Sequence, residues 1–423
     1  MTISNLMQYL LSVQEAISYL KIGGVDDNPH IINDIIEAVS NLKDVFPDEK
    51  DKIEHMSAIF IKAKQSLDLP EDISDQFQVW GAELAERLSG KSQTAINDVG
   101  ITHVQKKCDM DFMALVNKVA TADIGQLLAE ASKGLESYSD KEKSYYDLLR
   151  QWYKSWYRIE TFKDTDPSFA NYFGAMYQYL KNNAIELKNF YQSLCDYRSK
   201  YSLMKVLQHW LIAAPDLRSH GVEHTFLHYY DLDLISCGPD EVFVDCGAFI
   251  GDSAINFIET FGTEYKRIYA YELTPKTYQK MKKNLSKYDN IVCRNVGVAD
   301  KNGSMSMINI EGSEAGNRLV SGDGTSSMPI VSLDNDIKED ITFIKMDIEG
   351  AEIAAIKGAR NHIKRSHPKL AISLYHSLPH LLEVPALVHR IYPHYKFYFR
   401  HTGGITPGGG GVPFPTEYIL IAI

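Results

Sequence analysis

From about residue 200 onward the chain alternates short β-branched segments, EVFVD, RIYAYE, NIVCRN, ITFIKMD and KLAISLYH, with stretches of helical periodicity. That rhythm limits the fold more than any other feature. Parallel strands need a crossover between them, and a helix is the usual one. The pattern therefore predicts an α/β domain, a parallel sheet with helices on both faces. The C-terminus departs from it. YKFYFRH and EYILIAI are separated by HTGGITPGGGGVPFPT with no helical segment between them, which predicts an antiparallel hairpin at the end of the sheet.

Residues 1–199 follow a different pattern and read as an all-α region. Leu6, Leu10, Val13, Ile17 and Leu20 share one face of a helix that Ser4 can cap and that Gly23 and Gly24 stop. Ile31 to Leu42 and Ile53 to Ala63 predict two more helices. Others are expected over Val79 to Leu88, Phe112 to Ala120 and Tyr145 to Ile159, and from Asp166 and Pro167 toward Leu194. Aromatic residues at helical spacing, among them Trp152, Trp156, Phe173 and Tyr177, are read first as bundle core, with a sugar-stacking or partner surface as the sharper alternative. The chain thus divides into a helical domain over 1–199, open to a protein contact, and an α/β domain over 200–423.

Composition narrows the function. A net charge of −11 argues against a nucleic-acid partner, which favours a basic face. The five cysteines are scattered and form no CxxC, so neither a zinc site nor a disulfide framework is indicated. Glu15 interrupts the first apolar stretch, and no basic residues precede it, which excludes a signal peptide. No apolar run approaches the ~20 residues that span a bilayer. A cytoplasmic enzyme or binding protein is the expectation.

The segment VFVDCGAFIGDSA, Val242 to Ala254, is a buried strand followed by glycines and a helix. A dinucleotide fingerprint carries G-x-G-x-x-G. Here Asp245 stands two positions before Gly247, and the next glycine is Gly251. An acid is a poor cradle for pyrophosphate and a good partner for a cation. S-adenosyl-L-methionine, with a sulfonium and an α-amino group, suits it better than NAD. Other strand ends carry marked residues. Glu272 ends RIYAYE, where an acid can accept hydrogen bonds from ribose hydroxyls. Asn295 and its successor Val296 follow NIVCR, and Lys345 and Asp347 end ITFIKMD. Ala248 and Leu273 flank the first two sites.

These segments, together with NVGVADKNG, VSLD, FIKMDIEGAEIAAIKGA and HPKLAISLYH, occur in an order that resembles the FkbM family of class I methyltransferases. The resemblance covers roughly residue 200 to the end. It implies a Rossmann-like seven-stranded sheet with the last strand antiparallel, S-adenosyl-L-methionine as donor, and methylation of a hydroxyl, often on a sugar or glycan. Carried over by position, the cofactor residues are Asp245, Gly247, Gly251, Glu272 and Asn295, and Asp347 lies between cofactor and acceptor.

Methyl transfer to a hydroxyl needs alignment and a proton acceptor. His376, ending LAISLYH, is the expected base, neutral near pH 7; Asp347 is the alternative, with Lys345 pointing the same way. Glu349 and Glu352 read as acids of a first helical turn. No metal is expected, since no second acid-rich strand end completes a site. Arg400 and His401 are candidate substrate contacts. Two rival functions are an NAD-dependent oxidoreductase and a non-catalytic scaffold that keeps a methyltransferase-like fold.

Overall fold

The computed structural model describes residues 31–45, 49–66, 98–136, 169–212, 229–310, 313–320, 326–401 and 417–423, with a few single positions between 13 and 80. The expected helix over Tyr145 to Ile159, most of those from Ser4 and from Val79, the Asp166–Pro167 opening and the glycine-rich loop from Gly403 to Pro415 lie outside the described residues. Two helices, α1 (Ile31–Val45) and α2 (Lys50–Ser66), pack on each other. Ile32, Ile35, Val39, Ile53, Met56 and Phe60 belong to a core of their own.

The next five helices are α3 (Asp98–Thr121), α4 (Ile124–Glu136), α5 (Phe169–Asn182), α6 (Ala184–Ser193) and α7 (Tyr197–Ile212). Their apolar faces join the sheet in one continuous core. Phe112, Phe173, Tyr177, Tyr191 and Trp210 share it with Ile344, Ile372, Phe399 and Leu420. The boundary drawn at 199/200 falls inside α7, which packs on the C-terminal hairpin. Asp196 caps that helix by accepting the Ser199 N–H at 2.8 Å.

The α/β region continues in the order β1 (Val242–Cys246), α8 (Asp252–Phe261), β2 (Arg267–Tyr271), α9 (Pro275–Leu285), β3 (Ile291–Arg294). Then come β4 (Gly297–Val298), β5 (Gly303–Ile310), β6 (Ser313–Val320), β7 (Ser326–Val331), α10 (Leu333–Asp336) and β8 (Phe343–Met346). The chain ends with α11 (Glu352–Gly358), α12 (Arg360–Ser366), β9 (Lys369–Ser373), α13 (His380–Ile391), β10 (Phe397–His401) and β11 (Tyr418–Ala422). One sheet has the order β10-β11-β9-β8-β1-β2-β3; β11 runs antiparallel to both neighbours, and the other pairs are parallel.

Alternation along these strands separates two faces. Val244, Ile344 and Leu420 face the helical layer. Phe243, Phe343, Ile419 and Ile421 face the other core, which α8 and α9 cover through Phe257, Ile258, Met281 and Leu285. The Phe243 and Phe257 rings stack at 4.6 Å. Burying each such side chain is worth about 1.5–3 kcal/mol, so the central strand β1 is held from both sides. A second sheet, absent from the sequence-based expectation, has the order β4-β7-β5-β6. Among the described residues, no helix is long and apolar enough to cross a membrane.

Candidate active site

The carboxyl ends of β1, β2, β3, β8 and β9 meet at one edge of the large sheet, where open α/β sheets hold their ligands. Asp245 closes β1 and is fully buried. Lys345, its register partner on β8, places Nζ 3.0 Å from Asp245 Oδ1 and donates to the Gly247 carbonyl at 2.7 Å; Ser253 Oγ donates to Asp245 Oδ2 at 2.6 Å. Burial works against the Lys345 charge, but Asp245 and Asp347 outweigh it and hold its pKa above the ordinary lysine value. The Asp245 charge is therefore matched inside the protein. That corrects the expectation that it meets a ligand cation, and it places Lys345 as a brace under the glycine turn instead of at the acceptor.

Gly247 has φ +80, and a Cβ there would lie 1.8 Å from the Asp347 carbonyl oxygen. Its lack of a side chain lets the β1 and β8 ends approach each other, where a close approach to ligand was expected. Gly251, at φ +91, starts α8 against Leu285 of α9. Ala248 is buried and donates its N–H to the Tyr271 carbonyl at 2.9 Å.

Glu272, just after β2, accepts the backbone N–H of Phe249 at 3.1 Å and of Thr274 at 2.7 Å. Burial pushes its pKa up to about 7 against those bonds. Asn295 clamps the same turn, its amide donating to the carbonyls of Glu272 at 2.9 Å and Leu273 at 3.0 Å. Val296 is half-buried and packs on the helical-layer core. Asn317 of β6 donates to Thr274 Oγ1 at 3.1 Å, so the second sheet reaches this turn.

Asp347 follows β8 and is the hub of the edge. Tyr229 and Tyr375 both donate to its Oδ2, Tyr375 at 3.2 Å. His376 Nε2 lies 3.0 Å from Asp347 Oδ1 and 3.6 Å from Glu349 Oε1, while Nδ1 meets Glu352 Oε1 at 2.7 Å. Burial disfavours the imidazolium, yet Glu349, Glu352 and Asp347 outweigh it and raise the His376 pKa well above its ordinary value. The carboxylates thus favour a protonated ring over the neutral imidazole base expected from the sequence. The same charge holds Asp347 and Glu352 below the usual carboxylate range despite their burial.

Glu352 opens α11 but is fully buried and accepts the Ile348 N–H at 3.0 Å; Glu349 precedes that helix at φ +52. Glu352 is the first-turn acid expected from the sequence, though buried, whereas Glu349 lies before the helix. Asp347, Glu352 and His376 offer ligand atoms within 4.8 Å of one another, which could hold a metal ion. The second element judged missing from the sequence is the β9 end that carries His376. Two further acids adjoin the cluster. Burial raises Glu417 to about 8, helped by Asp347, and Asp252 to about 6, opposed by Lys345.

Residues 245–395, the segment that holds these strand ends, match the family model of the methyltransferase FkbM domain. Over these residues the chain is similar to FkbM methyltransferase domains. A solved structure of methyltransferase FkbM from Methylobacillus flagellatus KT is 25% identical to this chain, with a TM-score of 0.48 over 58% of this chain and 60% of that one. The chain therefore spans less than two thirds of that protein. The citrinin polyketide synthase CMeT domain aligns at 9% identity and a TM-score of 0.27, over 77% of this chain and 96% of that domain. No curated protein sequence matches.

The site draws on more of the chain than the sequence indicated. Tyr229 lies in YYDLDLI, just before the first strand, and Tyr375 adjoins His376 in LAISLYH; phenols beside strand ends were the available signal. Arg400 does not reach a substrate position. It is buried at 2% exposure and bonds Asp231, Asp196 and Ser199. His401 is buried edge-on to Tyr418.

Proposed function

We propose that the FkbM domain is a class I, Rossmann-like S-adenosylmethionine-dependent O-methyltransferase acting on a hydroxyl of a sugar, glycan or related small molecule. One observation carries the reading: the strand-end edge gathers Glu272, buried, and Asp252, Asp347, Glu349 and Glu417, partly buried, around Lys345 and His376, an excess of acidic over basic groups. A pyrophosphate would be repelled there, which disfavours NAD, whereas a cationic donor would be attracted.

The residues present fit the donor. Glu272 would accept from the ribose hydroxyls, with Asn295 fixing the turn that carries it and Leu273 and Val296 beside the base. Asp252 and Asp347 would face the positive methionine portion. S-adenosylmethionine supplies a methyl group already activated by its sulfonium. The protein's part is alignment and proton handling. Tyr229 and Tyr375 fix the Asp347 carboxylate, which accepts the acceptor's hydroxyl proton as a hydrogen bond. A carboxylate of lowered pKa is a weak base, so Asp347 aligns the hydroxyl and receives its proton only as the transferring methyl makes it acidic. His376 and Glu352 hold that carboxylate in place.

The test is formation of S-adenosylhomocysteine across nucleotide sugars and glycan fragments, with wild-type protein and Asp347→Asn. Turnover with at least one hydroxyl acceptor, lost in the variant, is the expected result. Turnover only with NAD and an alcohol would replace the reading by an oxidoreductase.

A further inference from the structure

We infer that Asp347, Glu349 and His376 form a binding site for a divalent first-row transition cation at the acceptor side of the active site. The inference starts from one atom. His376 is 5% exposed, and its Nε2 completes no hydrogen bond, though it points between Asp347 Oδ1 at 3.0 Å and Glu349 Oε1 at 3.6 Å. A shared cation can accommodate both separations. With bonds of about 2.1 Å, two ligand atoms stand about 3.0 Å apart at a right angle and about 3.4 Å apart at a tetrahedral angle.

The surroundings match such a site. Glu352 Oε1 receives Nδ1 at 2.7 Å and is itself held by the Ile348 N–H. A carboxylate on the far nitrogen fixes the tautomer and turns Nε2 outward, the arrangement that orients histidine ligands in metal centres. Asp347 is oriented in the same way: Tyr229 donates to Oδ2, Tyr375 lies 3.2 Å from Oδ2 and 3.3 Å from Oδ1, and Oδ1 stands 3.0 Å from Nε2. Asp347 and Glu349 supply two negative charges, which a 2+ ion balances once Nε2 gives up its proton to solvent. One imidazole with two carboxylates favours Mn²⁺, Fe²⁺ or Zn²⁺ over Ca²⁺. The consequence for chemistry rests on the methyltransferase reading: a cation here would bind the acceptor hydroxyl and make its proton easier to remove. Binding itself does not rest on that reading.

The experiment uses metal-stripped full-length protein without cofactor. Mn²⁺ is titrated in, and the free ion is read by its electron paramagnetic resonance signal. One saturable site per chain is expected, weakened at least about tenfold in Glu349→Gln, whose thermal melt should match the wild type because the residue sits in the loop before α11. Asp347→Asn, if it folds, should lose the site. Absence of a saturable wild-type site, or equal affinity in Glu349→Gln, overturns the inference. The result is independent of S-adenosylmethionine binding, so failure of the donor reading and failure of the cation reading are separable.

Discussion

Two buried ionic clusters are built on strand ends of the same sheet, and they differ in balance. Around Arg400, Nη2 meets Asp196 at 2.7 Å, Nη1 meets Ser199 at 2.8 Å, and Nε meets Asp231. The guanidinium is bonded in all directions, and it ties β10 to the start of α7 and to the segment before β1. Around His376, three carboxylates converge on one ring, and Glu349 stands in left-handed backbone. Phe249 and Glu417, at φ +46 and +59, adjoin the same edge. Satisfied charge stabilises an arrangement, whereas excess like charge and strained backbone persist only where the surroundings enforce them, as at functional sites. The comparison assigns the first cluster to architecture and the second to chemistry.

The largest expected effect breaks the second cluster alone. Asp347→Asn should lower turnover by roughly 10²–10⁴-fold, well beyond any loss of donor affinity, while the melt stays cooperative. A variant that unfolds instead would make this cluster architectural too. Breaking the first cluster should do the opposite. Arg400→Met leaves the buried Asp231 with only Arg198 at 3.4 Å and takes the cation from the half-buried Asp196, and such a loss costs up to about 3–5 kcal/mol; urea unfolding measures it, and near-wild-type stability would make the clamp dispensable.

A milder cut tests the same contact through the chain. A fragment starting at residue 200 lacks Asp196, Ser199 and the Cys195 N–H that bonds the Phe397 carbonyl at 3.0 Å, and it strips α3 to α6 from the shared core. The sequence alone suggested that 200–423 folds independently; the packing predicts an insoluble or molten product, whereas a fragment beginning at residue 98 stays soluble with a cooperative melt. A smaller effect concerns Glu272. Its pKa of about 7 means that it is half protonated there, and the ribose hydroxyls need the ionised acceptor. Donor affinity should fall by up to about tenfold as pH drops from about 8 to about 6, and Glu272→Gln should flatten that dependence.

The sequence disclosed the large sheet because its central strands are buried on both faces and read as continuous apolar runs, as in VFVDC and YILIA. It missed the second sheet because GSMSMINI and SEAGNRLV carry few β-branched residues, and their pairing is a long-range property. The marked strand ends were legible: Glu272, Asn295, Asp347 and His376 do line one edge. Their partners were not. Pairing Asp245 with Lys345 follows from the β1–β8 register, and the charge state of His376 follows from Glu349 and Glu352 folding back onto a neighbouring strand. Neither is encoded by local spacing.

The most direct test of the account is calorimetric titration of the full-length protein with S-adenosylmethionine and, separately, with NAD. The account predicts one S-adenosylmethionine site per chain, no NAD binding, and at least about tenfold weaker S-adenosylmethionine binding in folded Glu272→Ala, since a hydrogen bond at a charged group is worth about 1.5–3 kcal/mol. No heat with S-adenosylmethionine, or tighter binding of NAD, would contradict it.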